Sequence, residues 1–119
     1  MLPTLHEGEL LLIEEVPVEQ LQRGDIIVFQ PPGSQAGLLV KRLIGLPGET
    51  VEIRGRKVYL NGKVLDEPYI QEPMIRVDFP PIILKSDEYY FMGDNRNNSV
   101  DSRQFGPIPS QSILGRMKQ

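Results

Sequence analysis

Chain-reversing residues punctuate this sequence so often that most segments between them have room for a strand and little more. Eleven glycines and eleven prolines are spread through 119 residues. The segments they bound are rich in Val, Ile, Leu, Tyr and Phe, side chains that suit a pleated, half-buried surface. The pattern predicts a nearly all-β chain with strands at Glu9–Glu15, Ile26–Gln30, Leu38–Ile44, Val51–Arg54, Glu88–Met92 and Ile113–Lys118. Pro31-Pro32 stops the second of these, and a polar link from Gly33 to Gly37 follows it. A short helical turn is expected at Val18–Gln22, with Pro17 at its start. The sharpest local signal is Asn61-Gly62 between Lys57–Leu60 and Lys63–Leu65, a pair whose tolerance of positive φ fits a two-residue hairpin. Asp66 to Ser86 holds four prolines and little periodicity, so it reads as a long excursion with one short strand near Ile82–Leu84.

The length suits one domain with a modest core. Thirteen basic and sixteen acidic residues are interspersed, for a net charge of −3. That balance lacks the one-sided basic field of a nucleic-acid binder, so nucleic acid is excluded as an expected partner. Cysteine is absent, which removes disulfides and thiolate metal sites without naming a compartment. No stretch approaches the roughly 18 to 20 apolar residues that cross a bilayer as a helix, and no secretion leader is visible, so these residues are expected to be soluble by themselves.

Three segments carry candidate chemistry. From Gly93 to Arg103 only Gly93 and Val100 lack a polar side chain. Such a run must satisfy its own donors and acceptors, and Asx turns with Asp–Arg pairs would do so. Its acidic residues, Asp94 and Asp101, do not follow the spacing of a calcium-binding loop, and no metal site is expected. Lys41 lies mid-strand beside Arg42, and alternation sends their side chains to opposite faces, one of them inward or toward a cleft. A lysine there is either an edge residue that discourages aggregation or a desolvated general base. The second role requires lowering its pKa from about 10.4 to about 7.5, roughly 4 kcal/mol of destabilisation of the ammonium form. The third segment is the start, Met1-Leu2-Pro3-Thr4-Leu5, followed by His6, the one histidine, whose place near a terminus suits exposure better than catalysis.

Together, residues 1–8, 23–29, 41–49 and 93–106 resemble, in order and spacing, the sequence boxes of bacterial-type type I signal peptidases. That family's boxes read Ser-Met-x-Pro-Thr-Leu, Arg-Gly-Asp before apolar residues, Lys-Arg-x-Ile-Gly-x-Pro-Gly, and Gly-Asp-Asn-Arg-x-x-Ser-x-Asp-Ser-Arg. The resemblance implies a mainly β fold: an antiparallel coiled-sheet domain, shared with self-cleaving repressors, spanning residues 1–119 with a small inserted hairpin lobe at about 50–86.

The family's activity is cleavage of signal peptides from secreted precursors by a Ser-Lys dyad, with no cofactor. By resemblance, Lys41 is the general base and Ser99 orients its amine. Asp101 and Arg103 form an ion pair that braces the loop, and Arg42 pairs with Asp94. Met1, Leu5, Leu39 and Val40 line shallow apolar pockets for the small residues before the cut, with the substrate extended beside the strand that carries Lys41. The implied partners are signal-peptide-bearing precursors and, for the parent enzyme, a membrane surface, with the domain on its outer side. In the family's first box the nucleophilic serine immediately precedes the methionine that here is Met1, so the 119 residues are expected to be inactive by themselves. A non-catalytic module that binds signal peptides or membranes, and another Ser-Lys protease related to the repressors, are the competing classes.

Overall fold

The computed structural model describes residues 1, 3–6, 8–33, 37–75 and 77–118. In chain order the strands are β1 (Ile13–Glu14), β2 (Ile26–Phe29), β3 (Leu39–Gly45), β4 (Thr50–Arg54), β5 (Lys57–Leu60), β6 (Lys63–Val64), β7 (Phe79–Ile83), β8 (Glu88–Met92), β9 (Ile108–Pro109) and β10 (Ile113–Met117), with a four-residue helix α1 at Ser102–Phe105. They form two sheets, one in the order β1-β10-β2-β3-β8-β9 and one in the order β6-β5-β4-β7. Every pairing is antiparallel, as expected for a mainly β chain whose strands are joined by short reversals.

The apolar runs of β3 and β8 explain how the sheets are joined. Alternate residues of a strand face opposite sides. Leu43, Tyr89 and Phe91 point into one core with Ile27, Phe29 and Ile108. Their neighbours Ile44, Tyr90 and Met92 point into a second core with Val51, Ile53, Val58 and Leu84. Both faces of these strands are therefore buried, which is why they read as continuous and not alternating apolar runs. Phe29 stacks on Phe91 at 4.3 Å in the first core. Gly45 marks the hand-over between sheets, because a Cβ there would come within 2.8 Å of the Leu84 and Val51 side chains.

The Asn61-Gly62 hairpin forms as expected, with φ of 51° and 84° at the two residues. Val18–Gln20 forms a 3-10 turn behind Pro17. Elsewhere local reading erred in instructive ways. The first strand is Ile13–Glu14, not Glu9–Glu15: Leu10 and Leu12 are 94% and 74% exposed, and without a layer to cover them their apolar character does not make a strand. The strand expected at Ile82–Leu84 begins earlier, at Phe79, and contains Pro80 and Pro81. Two prolines are tolerated because β7 pairs only with β4, at the edge of its sheet. Helix α1 begins inside the polar run that reads as a loop, and β9 lies in a stretch for which the sequence predicts no element. The centre of the Gly33–Gly37 link, residues 34–36, lies outside the described residues.

Candidate active site

Strand β3 places Lys41, and the turn after β8 brings Ser99 to it. Lys41 Nζ lies 3.0 Å from Ser99 Oγ. Ser99 Oγ in turn lies 2.8 Å from Asp101 Oδ2. A hydroxyl has a single proton, and an ionised carboxylate can only accept, so Ser99 donates to Asp101 and must accept from Lys41. A neutral amine held in this way spends one N–H on Ser99 and keeps its lone pair for another proton.

Asp101 is fully buried and saturated with donors. Its carboxylate accepts from Arg103 Nε at 2.9 Å and Nη2 at 2.8 Å, from the backbone N–H of Arg103 at 3.1 Å, and from the Gly93 N–H at 3.0 Å. Burial alone would raise its pKa, but the Arg103 pairing, the Gly93 N–H and the Ser99 hydroxyl together hold it below 3.8. It also caps α1, with Gln104 reaching back to the Asp101 N–H in a capping box. Lys41 moves the other way. Burial depresses its pKa below 10.5, Asp101 opposes this, and the Arg103 charge adds to the depression. Arg103 thus neutralises the carboxylate that would otherwise keep Lys41 protonated, and among the described residues Lys41 makes no salt bridge.

Gly93 allows this approach. A Cβ on it would collide with the Ser99 hydroxyl and lie 2.8 Å from Ser99 Cβ and 3.5 Å from Lys41 Nζ. Motif spacing could not reveal that requirement, because it depends on how the turn folds back on β8.

Arg42, the next residue along β3, has a different environment. Its guanidinium grips the buried Asp94 through two bonds, Nε to Oδ1 at 2.8 Å and Nη2 to Oδ2 at 2.6 Å, and donates to the Gly24 carbonyl at 2.8 Å. Asp94 also accepts from the Thr4 hydroxyl, and its N–H approaches Met1 Sδ at 3.3 Å. This cluster ties the N-terminal turn to the strand bearing Lys41. Alternation therefore sends Lys41 and Arg42 to different partners, yet both partners belong to the same polar turn.

The first part of the Asp66–Ser86 excursion supplies a further brace. Arg96 bonds Glu67 through both terminal nitrogens, at 3.0 and 2.6 Å, while its Nε holds the Gly93 carbonyl at 2.7 Å. Tyr69 donates to Glu67 at 3.0 Å and lies under Arg42, whose guanidinium carbon is 4.1 Å from the ring centroid. Glu67, Tyr69, Thr4, Gly93 and Arg96 are not singled out by the sequence, although Thr4, Gly93 and Arg96 stand within the family's boxes. Of the residues expected to touch substrate, Met1, Leu5, Leu39 and Val40 are all partly buried, and Leu39 packs against the core around Phe29. His6 is exposed.

The backbone beside Lys41 is open on one side. β2 pairs with Leu39 through Arg42, but β8 stops at Met92, opposite Arg42. Leu39, Val40 and Lys41 thus offer a sheet edge without a β8 partner, next to the amine.

The family model for "Signal peptidase, peptidase S26" matches residues 1–119. A signal peptidase I of Leptolyngbya laminosa is 42% identical over 125 residues, covering 98% of this chain and 61% of that protein. A probable signal peptidase I-1 of Synechocystis is 44% identical, covering 97% and 63%, and signal peptidase I T of Bacillus subtilis is 39% identical, covering 99% and 67%. The crystal structure of a signal peptidase I from Enterococcus faecalis superposes with a TM-score of 0.73 at 36% identity, over 83% of this chain and 97% of that one. The chain spans between 56% and 63% of the length of the first three curated relatives it matches.

Proposed function

We propose, since the chain belongs to the signal peptidase family of peptidase S26, that it carries the general-base half of a serine endopeptidase site that removes signal peptides from secreted precursors. One observation carries the reading: Lys41 has a depressed pKa and an amine oriented by Ser99, whose own proton is committed to Asp101.

The chemistry follows from that hydrogen-bond polarity. The family's serine stands in front of the residue that is Met1 here, and the Met1 Sδ lies 3.3 Å from the Asp94 nitrogen, in the turn that also carries Ser99. The serine oxygen attacks the scissile carbonyl as its proton passes to the lone pair of Lys41 Nζ. Lys41 returns that proton to the leaving amine as the peptide bond breaks, leaving an acyl-enzyme. Water then attacks the ester as Lys41 takes a proton from it, and Lys41 passes that proton to the departing serine oxygen, which regenerates the hydroxyl and releases the carboxylic acid product. The Arg42–Asp94–Thr4 cluster acts as support, holding the N-terminal turn within reach of Lys41. The open edge at Leu39–Lys41 suits an extended substrate added as a strand, with Met1, Leu5, Leu39 and Val40 beside the small residues before the cut.

The wider setting follows from the same reading. Residues 1–119 act as one catalytic domain with the Thr50–Ile83 sheet as its inserted lobe, and the parent enzyme works at the outer face of a membrane. Among the described residues no helix is long and apolar enough to cross one.

The test is to place a serine before Met1 and incubate the chain with a secretory precursor. Cleavage after the signal peptide is expected. The 119 residues alone, and the serine-bearing Lys41→Ala variant, should be slower by at least about a thousandfold. A folded serine-bearing chain that binds precursor without cutting it would instead make this a signal-peptide-binding module.

A further inference from the structure

Cleavage needs a path for the chain on both sides of the cut, and the site described so far accounts only for the residues before it. From Arg42 onward β8 occupies the edge of β3. A substrate strand lying along Leu39–Lys41 cannot continue along that edge past the reacting bond. It must turn outward over the segment that begins at Gly93 and carries Ser99. A cavity of about 180 Å³ opens there, with Ser99 in its wall and Met74, Ile75, Val77 and Phe79 on its apolar side. Among the described residues, none of its lining comes from β3 or from the N-terminal turn.

We infer that this cavity is a subsite for the mature protein, receiving one apolar side chain from the first few residues after the cut; the inference rests on the signal-peptidase reading above. Its size fits one side chain, since an apolar cavity of about 150 Å³ accommodates benzene. Among the described residues its chemistry is apolar despite two arginines in the lining. Arg103 is paired with the buried Asp101 and Arg96 with Glu67, at 2.8 and 2.6 Å, so neither offers a free charge to an acidic side chain. Ile75 and Val77 stay 64% and 46% exposed on this wall, apolar surface that an incoming side chain would cover. The polar rim has a donor to spare: Gln104 Oε1 is used by the Asp101 N–H, and its amide N–H groups bond nothing among the described residues, leaving them for a substrate carbonyl. The wall itself is held in register with the catalytic turn, because Asn97 bonds the Pro73 carbonyl at 3.1 Å and accepts from the Ile75 N–H at 2.8 Å.

The experiment uses the chain with a serine placed before Met1 and two substrates that share one signal-peptide sequence. One extends several residues past the cut and carries leucine among the first three. The other ends at the cut in a small chromogenic leaving group. The ratio of kcat/KM for the extended substrate to that for the short one should fall about tenfold in Val77→Glu, and again in Ile75→Glu. Replacing the leucine by aspartate in the extended substrate should lower its kcat/KM by a similar factor at one of the three positions and not at all of them. Turnover of both substrates with an unchanged ratio in both variants overturns the subsite and leaves the signal-peptidase reading standing. Turnover of neither substrate by the unsubstituted serine-bearing chain overturns that reading and the subsite with it.

Discussion

Lys41 and Arg42 are adjacent cations on one strand, yet their surroundings treat charge in opposite ways. Arg42 is given a buried carboxylate of its own in Asp94, with a carbonyl and an aromatic face besides. Lys41 is given a hydroxyl, while the nearby carboxylate of Asp101 is already claimed by Arg103. Both positions are only partly exposed, so burial alone does not separate them. The difference lies in whether the carboxylate within reach is free. A cation with its own counter-ion is a permanent structural tie, whereas a cation kept from one can lose its proton and act as a base.

The largest expected effect that tests this contrast is on the Arg42 side. Arg42→Met leaves Asp94 buried without its partner and should cost about 3–5 kcal/mol of unfolding free energy in urea. The double variant with Asp94→Leu should recover part of that loss. If the single variant loses under about 1 kcal/mol, Arg42 is not the tie described. On the Lys41 side, Gly93→Ala forces the Ser99 hydroxyl away from the amine. In a serine-bearing chain kcat/KM should fall about a hundredfold, as expected for misplacing a catalytic group by about an ångström. The Arg42–Asp94 pair should survive, so stability should drop by only about 1–3 kcal/mol. Equal activity in the two chains would show that Ser99 does not position Lys41.

The smallest effect is a pH dependence contributed by Lys41. Its folded pKa lies below 10.5, so as pH rises past the folded value the native state loses this proton while the unfolded chain still holds it. Stability therefore gains a rising contribution between the lowered folded pKa and 10.5, with a slope of at most about 1.4 kcal/mol per pH unit, and none outside that window. Comparing denaturation of the parent and Lys41→Met across that range isolates it. A parent curve that matches the variant would mean that Lys41 is not desolvated.

Much of this was legible along the chain because it depends on neighbours in sequence. Asn61-Gly62 dictates its own turn through positive φ, and Glu88–Met92 reads as a buried strand from its composition. Helix α1 is legible too, since Asp101 and Gln104 form a capping box at the usual spacing while Asp101 also pairs with Arg103. Leu10 and Leu12 misled in the opposite direction, since an apolar residue makes a strand only where something covers it.

Sequence by itself determined the mainly β class, the positions of the main reversals, the family resemblance and the identities of Lys41, Ser99, Asp101, Arg103, Arg42 and Asp94 as the chemically interesting residues. Tertiary structure alone decided that the Ser99 proton is committed to Asp101, that Gly93 must lack a side chain for Ser99 to reach Lys41, and that Glu67, Tyr69 and Arg96 brace the turn, with Glu67 and Arg96 29 residues apart in the chain. The physical reason is range. Turn and strand preferences act over a few bonds, whereas hydrogen-bond polarity and desolvation depend on groups brought together only when the two sheets pack.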